Sequence, residues 1–175
     1  IINLNLLSSF LPIDVVIMAG GLGKRLRPLT NSTPKPLLKV GNKTIIEYSI
    51  DRLKKFGVNN FWISVNYLAE KIEDFLGNGL QKQINIKYIH EDKPMGTIGS
   101  VSKISYFEND YVLITNSDIL TNLDYENFFL DFIKRDADMS VATIAYDVNI
   151  PYAVVKTVKN KIESFEEKPT YTYYS

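Results

Sequence analysis

The sequence predicts an α/β domain built on a mostly parallel sheet, and three observations carry that prediction. Short β-branched apolar runs alternate with amphipathic stretches of about ten residues, the pattern of strands joined by crossover helices. A chain of 175 residues with 45% hydrophobic and 23% charged side chains has the size and composition of one ordinary globular domain. The first strand runs straight into a glycine-rich turn, and in open α/β sheets ligands bind beyond the carboxyl ends of the strands.

Ile13 to Ala19 is an apolar run fit for a buried parallel strand. Thr44 to Phe56 places Ile46, Ile50, Leu53 and Phe56 near helical spacing, and Gly57 stops it. Phe61 to Val65 reads as a second strand, and Ala69 to Leu76 as a short helix ended by Gly77 and Gly79. Ile84 to Ile89 alternates as a strand; a loop with Pro94 and Gly96 then leads to a short helix over Ile98 to Ile104. Tyr111 to Thr115 is a strand followed at once by Asn116-Ser117-Asp118, and Tyr125 to Arg135 is an aromatic-rich helix. Met139 to Ala145, Ala153 to Val158 and Ile162 to Phe165 read as strands, the last two joined by a hairpin turn at Lys159-Asn160-Lys161. Tyr171, Tyr173 and Tyr174 suit a strand whose partner is expected in a C-terminal continuation or in another chain. Ile1 to Leu11 has no basic start and no small-residue cleavage site, so it reads as a linker or the tail of an upstream region rather than a signal peptide, and the domain itself runs over 13–175.

Composition narrows the chemistry. With no cysteine, a disulfide framework, a thiolate metal site and cysteine catalysis are excluded. One histidine speaks against a histidine zinc site or a Ser-His-Asp triad, and His90 receives no role. Twenty basic and 20 acidic side chains cancel, which argues against a nucleic-acid binder. No apolar run approaches the roughly 20 residues that span a bilayer, so no membrane partner is expected.

Charge is nevertheless segregated. No acidic residue occurs from Val15 to Ile46, while Lys24, Arg25, Arg27, Lys35, Lys39 and Lys43 fall within that stretch. Gly20, Gly21 and Gly23 let the backbone approach a ligand and aim successive amides at it, which suits phosphate. The dinucleotide fingerprint does not fit, because Leu26 stands in the third glycine's place. The P-loop pattern fails as well, with Met18 at its first glycine and Arg25 at its Ser/Thr. Pro34-Lys35-Pro36 is expected to hold its lysine in a stiff extended segment, a fixed cation beside developing negative charge. Asp118, at a strand's carboxyl end, is a candidate Mg²⁺ ligand beside a triphosphate; the competing reading is a turn or capping aspartate.

Met18-Ala19-Gly20-Gly21-Leu22-Gly23-Lys24-Arg25-Leu26-Arg27-Pro28-Leu29-Thr30, followed by Pro34-Lys35-Pro36-Leu37-Leu38 and Val40-Gly41, resembles the signature of the sugar-1-phosphate nucleotidyltransferases, also called nucleotide-sugar pyrophosphorylases. The resemblance implies a Rossmann-like three-layer sandwich of the nucleotide-diphospho-sugar transferase type. It also implies a Mg²⁺-dependent enzyme that joins a nucleoside triphosphate to a sugar 1-phosphate. By the same resemblance Ala19, Gly20, Gly21, Gly23 and Lys24 wrap the nucleotide phosphates, Arg25 and Lys35 act catalytically on them, and Asp118 binds the metal. Glu91-Asp92-Lys93-Pro94-Met95-Gly96-Thr97 is similar to the family's base-reading segment, which assigns Glu91 and Gly96 to the nucleotide. Glu166-Glu167-Lys168-Pro169 is similar to its E-K-P element, which assigns Glu167 to sugar hydroxyls and Lys168 to the sugar phosphate. Ala153 replaces the glycine of a Tyr-Gly-Val segment common among members.

Members continue for several tens of residues with an Asn-containing sugar segment and a second metal aspartate, so this chain is expected to be a C-terminally truncated piece. Resemblance to guanylyl-transferring members, such as mannose-1-phosphate guanylyltransferase, makes GTP the first expected triphosphate. Thymidylyl and uridylyl transfer stay open, as does a non-catalytic nucleotide or sugar-nucleotide binding module. A cytidylyl- or molybdopterin-type transferase fits the long motif matches less well. A cytoplasmic location is expected, and a homo-oligomer and an upstream regulatory domain are the further partners considered.

Overall fold

The computed structural model describes residues 10–93 and 95–174. Residues 1–9, where the upstream tail is expected, Pro94 of the expected base-reading loop and Ser175 lie outside the described residues. The chain divides after Asp131 into two units.

In chain order the first unit holds β1 (Ile13–Met18), a short hairpin of β2 (Lys39–Val40) and β3 (Lys43–Thr44), α1 (Ile45–Lys54), β4 (Asn60–Val65), α2 (Ala69–Leu76), β5 (Asn85–His90) and β6 (Tyr111–Asn116). The helix α3 (Tyr125–Lys134) runs across the division. The sheet order is β5-β4-β1-β6, and all three pairings are parallel. The chain therefore steps from β1 to β4 to β5 on one side, then returns to place β6 on the other side of β1. That reversal leaves a crevice at the carboxyl ends, next to β1.

Val15, Val16 and Ile17 are all fully buried, so both faces of β1 are covered, as an unbroken β-branched run requires. Ile46, Ile50 and Leu53 of α1 and Ile72 of α2 pack into one core with Phe61, Ile63 and Val65 of β4. Each such side chain is worth about 1.5–3 kcal/mol when fully buried. Asp14 is the exception in β1. Its buried carboxylate accepts from the backbone N–H groups of Glu108 (2.5 Å) and Asn109 (3.2 Å) and from Asn109 Nδ2 (3.1 Å), so its desolvation is offset. Leu11, just ahead of β1, is buried too and donates its N–H to Phe56 O (2.9 Å).

The second unit contains β7 (Ala145–Asn149), β8 (Val154–Val158), β9 (Lys161–Glu166) and β10 (Thr170–Tyr174). β8 and β9 form the expected hairpin, with Lys159 and Asn160 at φ 48° and 63° in its turn, the left-handed pair that a tight hairpin favours. Two expectations are corrected. The run from Met139 to Ile144 is not a strand: β-propensity needs a partner, and the strand begins only at Ala145, where β10 pairs with it. β10 finds that partner within this chain, opposing Tyr171 to Val148 and Tyr173 to Tyr146. No described residue from 132 onward is buried.

The start of α1 is specified locally. Thr44 and Glu47 form a reciprocal capping box: the Thr44 N–H donates to Glu47 Oε2 (2.9 Å) and the Glu47 N–H to Thr44 Oγ1 (3.4 Å). One turn on, Asp51 receives Lys43 Nζ (2.7 Å) and Lys82 Nζ (2.9 Å), and Lys82 also lies 3.5 Å from Glu47. Burial pushes the Asp51 carboxyl up, but the hydrogen bonds from Lys43 and Lys82 and their charges outweigh it and hold the group below its ordinary value.

Thr44→Ala is expected to cost about 1 kcal/mol, read as a lower urea midpoint at unchanged slope. A depressed folded-state pKa gives stability that is complete above the unfolded value and is lost as pH falls through the folded one. Acidification below about pH 4 should therefore lower the urea midpoint of the native protein more steeply than that of Asp51→Asn.

Candidate active site

The site begins with strand register. Ile89, Ser64, Met18 and Asn116 stand in one row across the four strands, because Ser64 pairs with Ile89 and with Met18, and Met18 with Asn116. Two residues beyond that row the strands deliver Glu91, Asn66, Gly20 and Asp118. The backbone keeps this level a little further, through Ala19 N to Ser64 O (2.8 Å), Ser117 N to Met18 O (3.1 Å) and Glu91 N to Val65 O (3.0 Å).

From this level the glycine turn leads into a single 3-10 turn over Lys24–Leu26. Gly23 sits at φ 59°, and a Cβ there would lie 2.9 Å from Thr30 Cγ2, so no other residue fits unstrained. At Gly20 a Cβ would press on Asn66 Cβ (3.2 Å) and Glu91 Oε1 (3.3 Å), so the turn lies directly against the ends of β4 and β5. Ala19 is buried, Gly21 is open to solvent, and Lys24 and Arg25 are exposed.

Leu22, Gly23, Lys24, Arg25, Leu26 and Lys35 line one open depression of about 310 Å³. Arg25 and Lys35 thus face a common space, and Lys35 Nζ is bonded to Asp118 Oδ2. Pro34-Lys35-Pro36 is not fully extended. Pro34 is extended, but Lys35–Leu37 form a 3-10 turn closed by Leu37 N to Pro34 O (2.9 Å) and Leu38 N to Lys35 O (3.1 Å). Both proline rings are buried, and Pro36 has no N–H to lose at the start of such a turn. The lysine is fixed by two anchored rings rather than by an extended backbone.

Glu91 is held by its own chain: Ser64 Oγ donates to Oε1 (2.6 Å), Met95 N to Oε2 (3.2 Å), and Asn66 Nδ2 to its carbonyl. Gly96 follows in an exposed turn at φ 81°. Glu167 and Lys168 belong to the second unit, in the turn between β9 and β10, where Lys168 takes φ 44°. There it is Glu166, not Glu167, that is pinned, by Lys156 and by the Tyr171 hydroxyl (2.8 Å).

Sequence reasoning passed over Thr30, Ser64, Asn66, Tyr67 and Lys71. Its signal was available in part, since Asn66 and Tyr67 follow a strand as directly as Gly20 and Asp118 do. Among the described residues no group of three or more His, Cys, Asp or Glu side chains could hold a metal, and no helix is long and apolar enough to cross a membrane. A lone exposed carboxylate does suit Mg²⁺ that arrives on a polyphosphate and keeps most of its water.

Comparison with known proteins identifies the family. Over 156 residues the chain is 33% identical to D-glycero-alpha-D-manno-heptose 1-phosphate guanylyltransferase of Aneurinibacillus thermoaerophilus, covering 89% of this chain and 67% of that protein. Over 161 residues it is 32% identical to probable mannose-1-phosphate guanylyltransferase 1 of Oryza sativa subsp. japonica, covering 88% of this chain but 45% of the relative, so the chain spans about half of that protein's length. The crystal structure of HddC from Yersinia pseudotuberculosis superposes with a TM-score of 0.64 at 28% identity, covering 93% of this chain and 72% of that one; HddC has also been crystallised with GMP-PN. Residues 14–174 match the Nucleotidyl transferase family, and the chain belongs to it.

Proposed function

We propose that this chain is the catalytic part of a sugar-1-phosphate nucleotidyltransferase that uses GTP. The observation that carries the reading is the convergence of Arg25 and Lys35 on one depression beside the Gly20–Gly23 turn, with Asp118 bonded to Lys35. The names of the heptose and mannose 1-phosphate guanylyltransferases and the GMP-PN complex of HddC support guanosine as the base.

The reaction is one in-line displacement. A phosphate oxygen of the sugar 1-phosphate forms a bond to the α-phosphorus of the triphosphate, the bond from that phosphorus to the α–β bridging oxygen breaks, and pyrophosphate leaves with the electron pair. The nucleophile is already an anion, so no base is needed. The protein's work is to hold two polyanions in line and to offset charge at the α-phosphorus. The amides of the glycine turn and Lys24 seat the triphosphate, while Arg25 and Lys35 face the phosphates where charge develops. Mg²⁺, held by Asp118, would neutralise part of the polyphosphate charge. The motif resemblance assigns Lys168 to the phosphate of the sugar and Glu167 to its hydroxyls, and Glu91 and Gly96 to the base.

Pyrophosphate release is the direct test. With Mg²⁺ present, GTP paired with mannose or heptose 1-phosphate should give the fastest release in a panel of GTP, UTP, dTTP and ATP. Nucleotide binding without release in any combination would instead favour a binding module. Lys35→Ala should lower kcat by about 10²–10³-fold, the scale for losing one preorganised transition-state contact. Its melting temperature should move little, because Lys35 and Asp118 are 33% and 36% exposed and such pairs contribute about 1 kcal/mol at most. Lys168→Ala should raise KM for the sugar 1-phosphate and leave KM for the triphosphate unchanged.

A further inference from the structure

The turn that carries Lys24 and Arg25 has few backbone bonds of its own, yet it is tied down from the loop between β4 and α2. The Tyr67 hydroxyl lies 3.0 Å from Asn31 O and 3.2 Å from Thr30 O, and its single proton is shared between these two carbonyls. Lys71 Nζ donates to the next carbonyl, Ser32 O (2.5 Å). Three consecutive carbonyls are thus captured by side chains from one neighbouring loop and helix. Thr30 passes the restraint on: it is fully buried, and its hydroxyl donates to Gly23 O (2.9 Å) while its methyl closes the space a Cβ at Gly23 would need. Gly23 O also accepts Leu26 N (2.9 Å), the bond that closes the 3-10 turn bearing Arg25.

Tyr67 is held in place at some cost. The next residue, Leu68, adopts φ 51° and ψ 42°, a left-handed conformation that a branched side chain adopts rarely, at the start of α2, and no side chain caps that helix end. The chain turns sharply there, immediately after the hydroxyl that reaches the 30–31 carbonyls.

We propose that Tyr67, acting through Thr30, is a positioning residue for the cationic turn: it fixes Gly23 and the Lys24–Leu26 turn so that Arg25 meets the triphosphate preorganised. This rests on reading that turn as the polyphosphate site. The Tyr67 hydroxyl is taken up by the Thr30 and Asn31 carbonyls and its ring is half-buried, so phenylalanine removes the hydroxyl while keeping the ring.

The test combines two readouts on Tyr67→Phe, Thr30→Val and Thr30→Ser. Amide hydrogen exchange should quicken over residues 23–32 in Tyr67→Phe and Thr30→Val, remain native in Thr30→Ser, and stay unchanged in β1 and β4. In turnover, kcat/KM for the triphosphate should fall about tenfold in the first two variants, the scale of one lost hydrogen bond. KM for the sugar 1-phosphate should hold, and Thr30→Ser should restore native values. Native exchange over 23–32 in Tyr67→Phe overturns the proposal whether or not the protein turns over. So does faster exchange with native kcat/KM, or an equal loss for both substrates accompanied by a lower melting temperature. Faster local exchange in a native protein that releases no pyrophosphate upholds the restraint and removes the enzymatic reading instead.

Discussion

Backbone hydrogen bonding between four parallel strands in fixed register is the interaction on which the site depends. It brings Glu91, Asn66, Gly20 and Asp118, separated by up to 98 positions in the chain, to the same level at one end of the sheet. A one-residue slip would carry every side chain of a strand buried on both sides to the opposite face, into a space shaped for its neighbour. The fully buried Val15, Val16, Ile17, Ile63 and Val65 therefore lock that level in place. Asp14 performs the same service at the opposite end, by binding the lead-in to β6.

On this frame the charge distribution becomes intelligible. An acid-free stretch of more than thirty residues folds back on itself, so that Lys24, Arg25 and Lys35 surround one hollow, and the carboxylate bonded to Lys35 comes from the far side of β1. Local concentration of one sign, rather than net charge, is what attracts a polyanion to a neutral protein. The two buried prolines and the buried Thr30 limit how far these cations can wander before a ligand arrives.

Much of this was legible from residue order alone. Strands β1, β4, β5 and β6 and helices α1, α2 and α3 lie within a residue or two of where apolar periodicity and glycine stops put them, because burial and local caps decide those segments. The cationic turn was legible from glycine spacing and segregated charge. What escaped depended on partners distant in sequence. Met139 to Ile144 has the composition of a strand but pairs with nothing among the described residues, and the tyrosine-rich β10 pairs with β7. The short pairing of β2 with β3 gave no periodic signal. Tyr67 and Thr30 were missed because their connection crosses 37 positions and appears only once β4 lies beside β1.

The level strand ends also make the site modular. Each strand hands over to its own loop at a common height set by main-chain bonds that are indifferent to side-chain identity. A change in the stretch following β5 can alter what that loop presents while the glycine turn after β1 and the carboxylate after β6 keep their stations. One scaffold can thus be revised piecemeal, loop by loop, without rebuilding the frame from which the loops depart.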